Sequence, residues 1–280
     1  MRVFAIAVVV LLGAQPLAAQ QRPLVTEDPE TVGAGLVLLE GGFDVQRGVV
    51  YPVSGLEGNL LRFPLLGVSI GLSSIAELQL DGGLYNRLTV TGRRPAPLEH
   101  LVDFTGDQTS DVEDIVIGTK IRLLSEAVGR PALAVRFATS LPNASNESGL
   151  GLDTTDFHAS ILVGKTVQSV RVVGNVGLGI LGDPTVGYQQ GDVMTYGLSL
   201  ARAVRQGVEV VGEINGRHAP TDETATPPGT DSRAAIRIGG RLTQGTVRLD
   251  GGIIIGMTAR DATFGVAGGL TWVFRAFRMP

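Results

Sequence analysis

Histidine, serine and an orienting amide are the parts of a nucleophilic hydrolase, and this chain carries His158 and Ser160 with Asn175 a hairpin's length further on. A turn at Thr166-Val167 would set His158 across from Asn175, with Ser160 two residues along on the same face. In an extended chain that face is the one shared with charged residues. His158 and Asn175 therefore read as a hydrogen-bonded polar pair on an inner wall, and no residue is assigned a catalytic role. Charge is the denser chemistry. Glu209 and Glu213 are followed by Arg233, Arg237 and Arg241, then by Arg248 and Asp250, with Arg136 and Arg171 earlier. Charges lining a bore tune which solutes pass. The same groups, paired with one another, hold a polar wall together, and their mixed signs favour that pairing. The arginine excess would bias an open bore modestly toward anions. His100 and His218 sit in or beside long polar stretches without a second ligand at metal spacing. Asp103, Asp107, Asp111, Glu113 and Asp114 form an acidic stretch without calcium-loop spacing. No metal or cofactor is expected.

These residues need strands to position them. Apolar and polar residues alternate through candidate strands at 33–46, 59–71, 75–90, 112–124, 131–141, 154–165, 168–181, 192–204, 207–218, 231–243, 246–258 and 262–275. Arg205-Gln206-Gly207 and Gln244-Gly245 are tight turns, whereas Thr91 to Ser110, Pro142 to Gly151, Gly182 to Gln190 and Ala219 to Thr230 are long and polar. Around Gln244-Gly245, Leu242 would pair with Val247 and Ile238 with Gly251, with Asp250 opposite Gly239. Leu242, Gly240, Ile238 and Ile236 share one face, and Arg233, Arg237, Arg241, Arg248 and Asp250 the other. A slip of one residue would exchange the two faces. Val170, Val172, Val176, Leu178 and Ile180 oppose Arg171 and Asn175 in the same way, and Val208, Val210 and Ile214 oppose Glu209, Glu213 and Arg217. About twelve long strands, turned tightly at one end and loosely at the other, predict an all-β antiparallel transmembrane barrel with short periplasmic turns and longer extracellular loops. A charged side chain facing lipid at mid-bilayer costs about 2–4 kcal/mol, so the charged face should line the interior. A water-soluble sandwich would reverse the two faces, and periodicity does not separate the alternatives. Strand length, loop rhythm and the aromatic-rich end Trp272-Val273-Phe274-Arg275-Ala276-Phe277 favour the barrel.

Residues 1–20 read as a signal peptide: Arg2, an apolar run Val3 to Leu12, and small residues up to Ala19. Residues 21–32 follow as an extended polar periplasmic segment, free either to fold into the bore or to hang below it, and 33–277 as the barrel. The chain has no cysteine, which excludes a disulfide scaffold and thiolate metal sites. With 23 basic and 27 acidic residues there is no case for nucleic acid. Double glycines at 41–42, 82–83, 239–240, 251–252 and 268–269, and Pro64, mark bends, bulges or close backbone approach. A kink at Pro64 could open a lateral route through the wall.

Arg22-Pro23-Leu24-Val25-Thr26-Glu27-Asp28-Pro29-Glu30-Thr31-Val32-Gly33, then Leu39-Glu40-Gly41-Gly42, Asp111-Val112-Glu113-Asp114, Gly118-Thr119-Lys120 and Asn175-Val176-Gly177, resemble the family labelled "putative meta-pathway of phenol degradation". The resemblance covers most of the chain after residue 21 and implies an outer-membrane channel for small compounds, with aromatics among the candidates. The hydrolase parts resemble those of the outer-membrane phospholipase, but Ile161-Leu162 stand where that family has asparagine and glycine after the serine. The expected function is a passive outer-membrane channel for small molecules, aromatic or anionic; the alternative is a closed structural or surface-interaction barrel. Its expected partners are outer-membrane lipid and lipopolysaccharide, the barrel-assembly machinery and a small solute.

Overall fold

The computed structural model describes residues 22–219 and 227–278; the signal segment lies outside the described residues. Fourteen strand segments among them form one antiparallel sheet: β1 (Leu36–Tyr51), β2 (Leu56–Gly71), β3 (Ala76–Gly83), β4 (Asn86–Arg93), β5 (Gln108–Asp111), β6 (Val116–Leu124), β7 (Ala132–Ser140), β8 (Asp156–Val167), β9 (Val170–Gly182), β10 (Gln190–Arg205), β11 (Val208–His218), β12 (Arg233–Gln244), β13 (Val247–Gly256) and β14 (Phe264–Arg275). β1 pairs with both β14 and β2, so the sheet closes on itself. One half of β2 pairs with β3 and the other with β4; β3 in turn pairs with β6, and β4 with β5. β3 and β4 therefore share one position in the wall, as do β5 and β6. The result is a closed barrel of twelve strand positions.

The interruption at Leu84-Tyr85 lies beside Phe63-Pro64 of β2, and the one over residues 112–115 lies one strand further on, against Gly83. Proline has no N–H to give to a ladder, and the chain accommodates it with an irregularity. The ladder is nevertheless bridged there. The Phe63 N–H donates to the Tyr85 carbonyl (2.8 Å), the Leu84 N–H to the Pro64 carbonyl (3.0 Å), and the Glu113 N–H to the Gly83 carbonyl (2.8 Å). These bonds bridge the wall at the point where a kink could have opened a lateral route. The irregularity also changes the phase of alternation. Glu77 and Gln79 point inward from β3, whereas Leu88 is the fully buried residue of β4.

Exposure decides between barrel and sandwich. Phe43, Ile161, Leu178, Leu200, Val210, Leu249 and Trp272 are exposed on the outer face, while Asp44, Glu77, Gln79, Lys120, Glu213 and Arg248 are buried inside. Only a wall with lipid outside stabilises that inversion, because an apolar outer band replaces the apolar core of a soluble domain. Trp272 and Phe274, with ring centroids 4.4 Å apart, stand at the β14 end. The tight turns, at 168–169, 206–207 and 245–246 among others, share that end, which by the rule for such barrels is periplasmic.

Register follows the expected faces with shifted turns. The β12–β13 turn is Gly245-Thr246, so Leu242 faces Leu249, Ile238 faces Ile253 and Asp250 faces Arg241 rather than Gly239. The shift is an even number of residues and leaves each side chain on its predicted side. Ile253, packed outward between Ile238 and Val266, gives a direct test. Ile253→Arg should cost about 2–4 kcal/mol if the face meets lipid and within about 0.5 kcal/mol if it meets water. The fraction folded into liposomes, read by heat-dependent gel mobility, reports which.

Candidate functional site: the bore and the segment inside it

Residues 22–35 run inside the barrel, along the inner wall, before the chain turns into β1. Along this segment, side chains and backbone N–H groups meet charged and polar groups on particular strands. The Arg22 guanidinium donates to the Gly268 carbonyl (2.8 Å) and lies 3.6 Å from Asp250, while the Arg22 carbonyl accepts from Arg241 Nε (2.7 Å). Glu213 accepts the N–H groups of Val25 and Thr26, each at 2.8 Å, one on each carboxylate oxygen. Glu27 is buried between Lys120 and Arg136, 3.2 Å from each. Asp28 receives a forked pair of bonds from Arg171, at 2.7 and 2.9 Å. Glu30 pairs with Arg122, and the Val32 N–H donates to Glu77 (2.6 Å). A fork of two parallel N–H bonds on a carboxylate fixes orientation as well as charge.

Lys120 is the hub. Its ammonium has no exposure and is held by Glu77 (3.0 Å), Glu27 (3.2 Å) and the Asp28 carbonyl (3.0 Å). Gln79 ties the cluster sideways, donating to Glu77 (2.8 Å) and accepting from Arg136 Nε (2.7 Å). A buried ion set is stable only when every lone pair and proton is answered, and here one of the two carboxylates that hold Lys120, Glu27, comes from the inserted segment.

The wall makes room for the segment with glycine. A Cβ added to Gly197 would stand 2.7 Å from Thr26 Oγ1, one at Gly164 2.8 Å from the Pro29 ring, and one at Gly239 2.9 Å from the Pro23 ring. Gly42 and Gly269 lie against the Arg22 guanidinium. Of the double glycines noted in the sequence, those at 41–42, 239–240, 251–252 and 268–269 thus each place a residue where another backbone or side chain approaches. Gly197→Val should push Thr26 off the wall at a cost of about 1–3 kcal/mol of overpacking. The expected result is faster protease cleavage within 22–35 in a barrel that still resists heat, and unchanged cleavage would contradict the contact.

The predicted wall charges divide by partner. Arg136, Arg171, Glu213, Arg241 and Asp250 contact the segment directly. Arg237 reaches Glu213 at 3.5 Å, and Glu209 lies 3.9 Å from Arg241 and 3.8 Å from Arg248. Arg233 instead pairs with Asp231 (3.0 Å) toward the extracellular end. His158 and Asn175 are not a pair. The β8–β9 turn falls at Gln168-Ser169, not Thr166-Val167, with Gln168 in the left-handed region (φ 55°). His158 consequently faces Gly179, Ser160 faces Gly177 and Asn175 faces Leu162. The Asn175 amide instead pairs with the Glu27 backbone, its oxygen accepting the N–H (2.7 Å) and its nitrogen donating to the carbonyl (2.9 Å). The sequence reading missed Lys120, Glu77, Gln79 and the pairing of Arg62 with Asp44 (2.8 Å) and Glu113 (2.9 Å). Lys120 does carry a signal, since Gly118, Lys120 and Arg122 alternate on one face of β6.

Two further features bound the bore. On the periplasmic side, Glu126 accepts the Thr166 N–H (2.9 Å) and pairs with Arg171, joining the turn over residues 125–131 to the residue that holds Asp28. Burial pushes the Glu126 carboxyl up, but the Thr166 N–H, Arg171 and Lys165 outweigh it and hold the group below its ordinary range. On the extracellular side the interior turns apolar: Val49, Leu56, Leu60, Leu88 and Ala262 pack together with Phe104 and Leu150 from the loops. The interior is therefore not charged throughout, because the phase change at Leu84-Tyr85 turns Leu88 and Val90 inward. Among the described residues, no group of three His, Asp or Glu side chains is placed to hold a metal ion.

A closed, lipid-facing ring of twelve antiparallel positions with a polar interior defines an outer-membrane β-barrel. The chain belongs to the family described as "Putative MetA-pathway of phenol degradation", which it matches over residues 22–272. Its fold is similar to that of an outer membrane channel from Pseudomonas putida F1 (TM-score 0.62, 14% identity, 88% of this chain and 98% of that one). It is also similar to the NanC porin (TM-score 0.50, 8% identity, 84% of this chain and 98% of that one). No curated protein sequence matches.

Proposed function

We propose that the protein is a passive outer-membrane channel for small molecules whose bore is gated by its own N-terminal segment. The observation that carries this reading is the glycine-lined track beneath residues 22–35. A barrel that is closed for structural reasons fills its interior with wall side chains. Here the wall withholds side chains at Gly42, Gly164, Gly197, Gly239 and Gly269, and the space is taken by the segment that leads into β1. Withdrawal of the segment would leave a gap lined by glycine, arginine and carboxylate groups, continuous with the apolar cluster above.

That succession suits solutes with one apolar and one polar part. A small aromatic carrying a hydroxyl group can cross Leu60, Leu88 and Phe104 and still hydrogen-bond to the wall below. A multiply charged solute loses hydration at the apolar cluster without compensation. The family description supports such compounds as the solutes, and the likeness to the P. putida outer membrane channel supports a channel. The arginine excess favours anions only weakly, because Arg136, Arg171, Arg237 and Arg241 are each matched to an acidic group or a segment carbonyl.

The test is solute entry into liposomes carrying the refolded protein, using sugars, carboxylates and phenols of graded size. Entry of phenols ahead of sugars and dicarboxylates of equal size supports the proposal. No entry of any solute, in a barrel that folds correctly and still admits none after residues 22–31 are removed, would favour a closed scaffold.

A further inference from the structure

The outer face of β4 and β5 does not match the apolar band around the rest of the wall. Below the interruption this side of the barrel exposes Phe63, Leu66, Leu80, Leu84 and Ile117. Above it, Arg87 stands beside Leu61 on one side and Ser110 on the other, and Thr89 stands between Asn59 and Gln108. Arg87, Asn59, Gln108 and Ser110 are all exposed, and they alternate with the inward-facing Asn86, Leu88 and Thr109. Tyr85, 43% exposed, marks the boundary. An outward row of hydrogen-bonding groups directly above an apolar band lies where lipid headgroups begin.

That row is also one wall of a built cavity. An open groove of about 400 Å³ is lined by Tyr85, Arg87, Gln108, Thr109 and Ser110 on the strands and by Asp103, Phe104, Ser145, Glu147 and Ser148 on two loops. The loops are fixed to each other and to the wall. The Asp103 N–H donates to the Glu147 carbonyl (2.9 Å), Thr109 Oγ1 to the Ser148 carbonyl (2.8 Å), and Ser145 donates to Asp111 from its N–H (2.8 Å) and its hydroxyl (3.1 Å). Arg93 lies 4.6 Å over the Phe104 ring and braces it. The contents of the groove have a recognisable chemistry. Aromatic rings offer a face for a sugar's C–H groups, amide, hydroxyl and carboxylate groups answer its hydroxyls, and one guanidinium answers a phosphate.

We infer that this groove binds the phosphorylated saccharide head of a glycolipid in the outer leaflet. Arg87 takes the phosphate, Gln108 and Ser110 bond the sugar adjoining it, and Tyr85 sits at the junction with the acyl chains. Asp103 and Glu147 accept sugar hydroxyls and, being anionic, disfavour a bare phosphate. Arg87, Gln108 and Ser110 face out of the wall, so the phosphate and adjoining sugar are met from the outer leaflet, while Phe104 and Thr109 close the groove from the inner side.

The test uses the protein refolded in detergent and a fluorescent rough-type lipopolysaccharide, with phosphatidylglycerol, enzymatically dephosphorylated lipopolysaccharide and inorganic phosphate as competitors. Arg87→Gln and Gln108→Leu are compared with Arg202→Gln, which removes an exposed arginine at the periplasmic end of β10. Loss of one charge-assisted contact predicts affinity about tenfold lower in Arg87→Gln. A further loss is expected in the double variant, with wild-type affinity in Arg202→Gln and weak competition by the three competitors. Equal binding in wild type and the double variant would overturn the assignment. So would an equal loss in Arg202→Gln, or full competition by inorganic phosphate or phosphatidylglycerol. Heat-dependent gel mobility of each variant separates lost binding from lost folding.

Discussion

Replacing Glu27 and Asp28 by Gln and Asn should open the bore without unfolding the barrel. The pair supplies the segment's two buried carboxylates, one between Lys120 and Arg136 and one forked onto Arg171. Truncating one side of a buried, hydrogen-bonded charge pair costs about 2–5 kcal/mol, and each 1.4 kcal/mol is about tenfold in population. The docked form should therefore fall by about thirtyfold or more per site relative to the free form. The wall does not lose its closure, because β1 pairs with β14 and β2 independently of residues 22–35. Higher conductance in planar bilayers, with unchanged heat-dependent mobility, is the expected combination. Conductance equal to wild type would mean that these contacts do not hold the gate.

Lys120→Met should do the opposite kind of damage. Lys120 is fully buried and neutralises Glu77 and Glu27 from within the wall. Its removal leaves carboxylates facing one another away from water, with an expected loss of about 3–5 kcal/mol of stability. The mechanism predicts its own rescue. Glu77→Gln in the same chain removes the orphaned charge on the wall, and Glu27→Gln the one on the segment, so the triple variant should regain most of the loss. Denaturant midpoints in lipid vesicles for the single, double and triple variants report this. A single variant as stable as wild type would show that Glu27 and Glu77 reach water once Lys120 is gone.

The two faces of every strand were legible because side-chain direction has a period of two, and an even error in turn position leaves that direction intact. The turn at Gly245-Thr246 shifted partners along β12 and β13 yet kept Arg241 and Asp250 inside. The same kind of shift at Gln168-Ser169 was fatal to a pairwise prediction: His158 remained on the inner face but lost Asn175. Predictions of face survive errors of register, and predictions of contact do not. The phase changes at Leu84-Tyr85 and over 112–115 were illegible because each falls between stretches that alternate correctly by themselves. The candidate site was half visible. Arg136, Arg171, Glu213 and Arg241 announced a charged wall, but what neutralised them was the polar segment 22–32, whose position depends on contacts as far apart as Arg22 with Gly268 and Glu27 with Lys120. The double glycines, read as marking bends, bulges or close backbone approach, pointed to the segment's track without naming the segment, since a wall that needs no clearance has no reason to leave out side chains at Gly239 and Gly269.

The central claim is that passage requires residues 22–35 to leave the wall, and a reversible tether tests it most directly. The chain has no cysteine, so an introduced pair has no competitor. An added Cβ at Gly197 would lie 3.4 Å from Thr26 Cβ, close to the roughly 3.5–4.5 Å that a disulfide spans. We would measure phenol entry into liposomes carrying Thr26→Cys/Gly197→Cys, oxidised and then reduced in the same preparation. The account predicts no entry while the bond is closed and entry once it is reduced. Equal entry in the two states would place the route elsewhere and contradict the account.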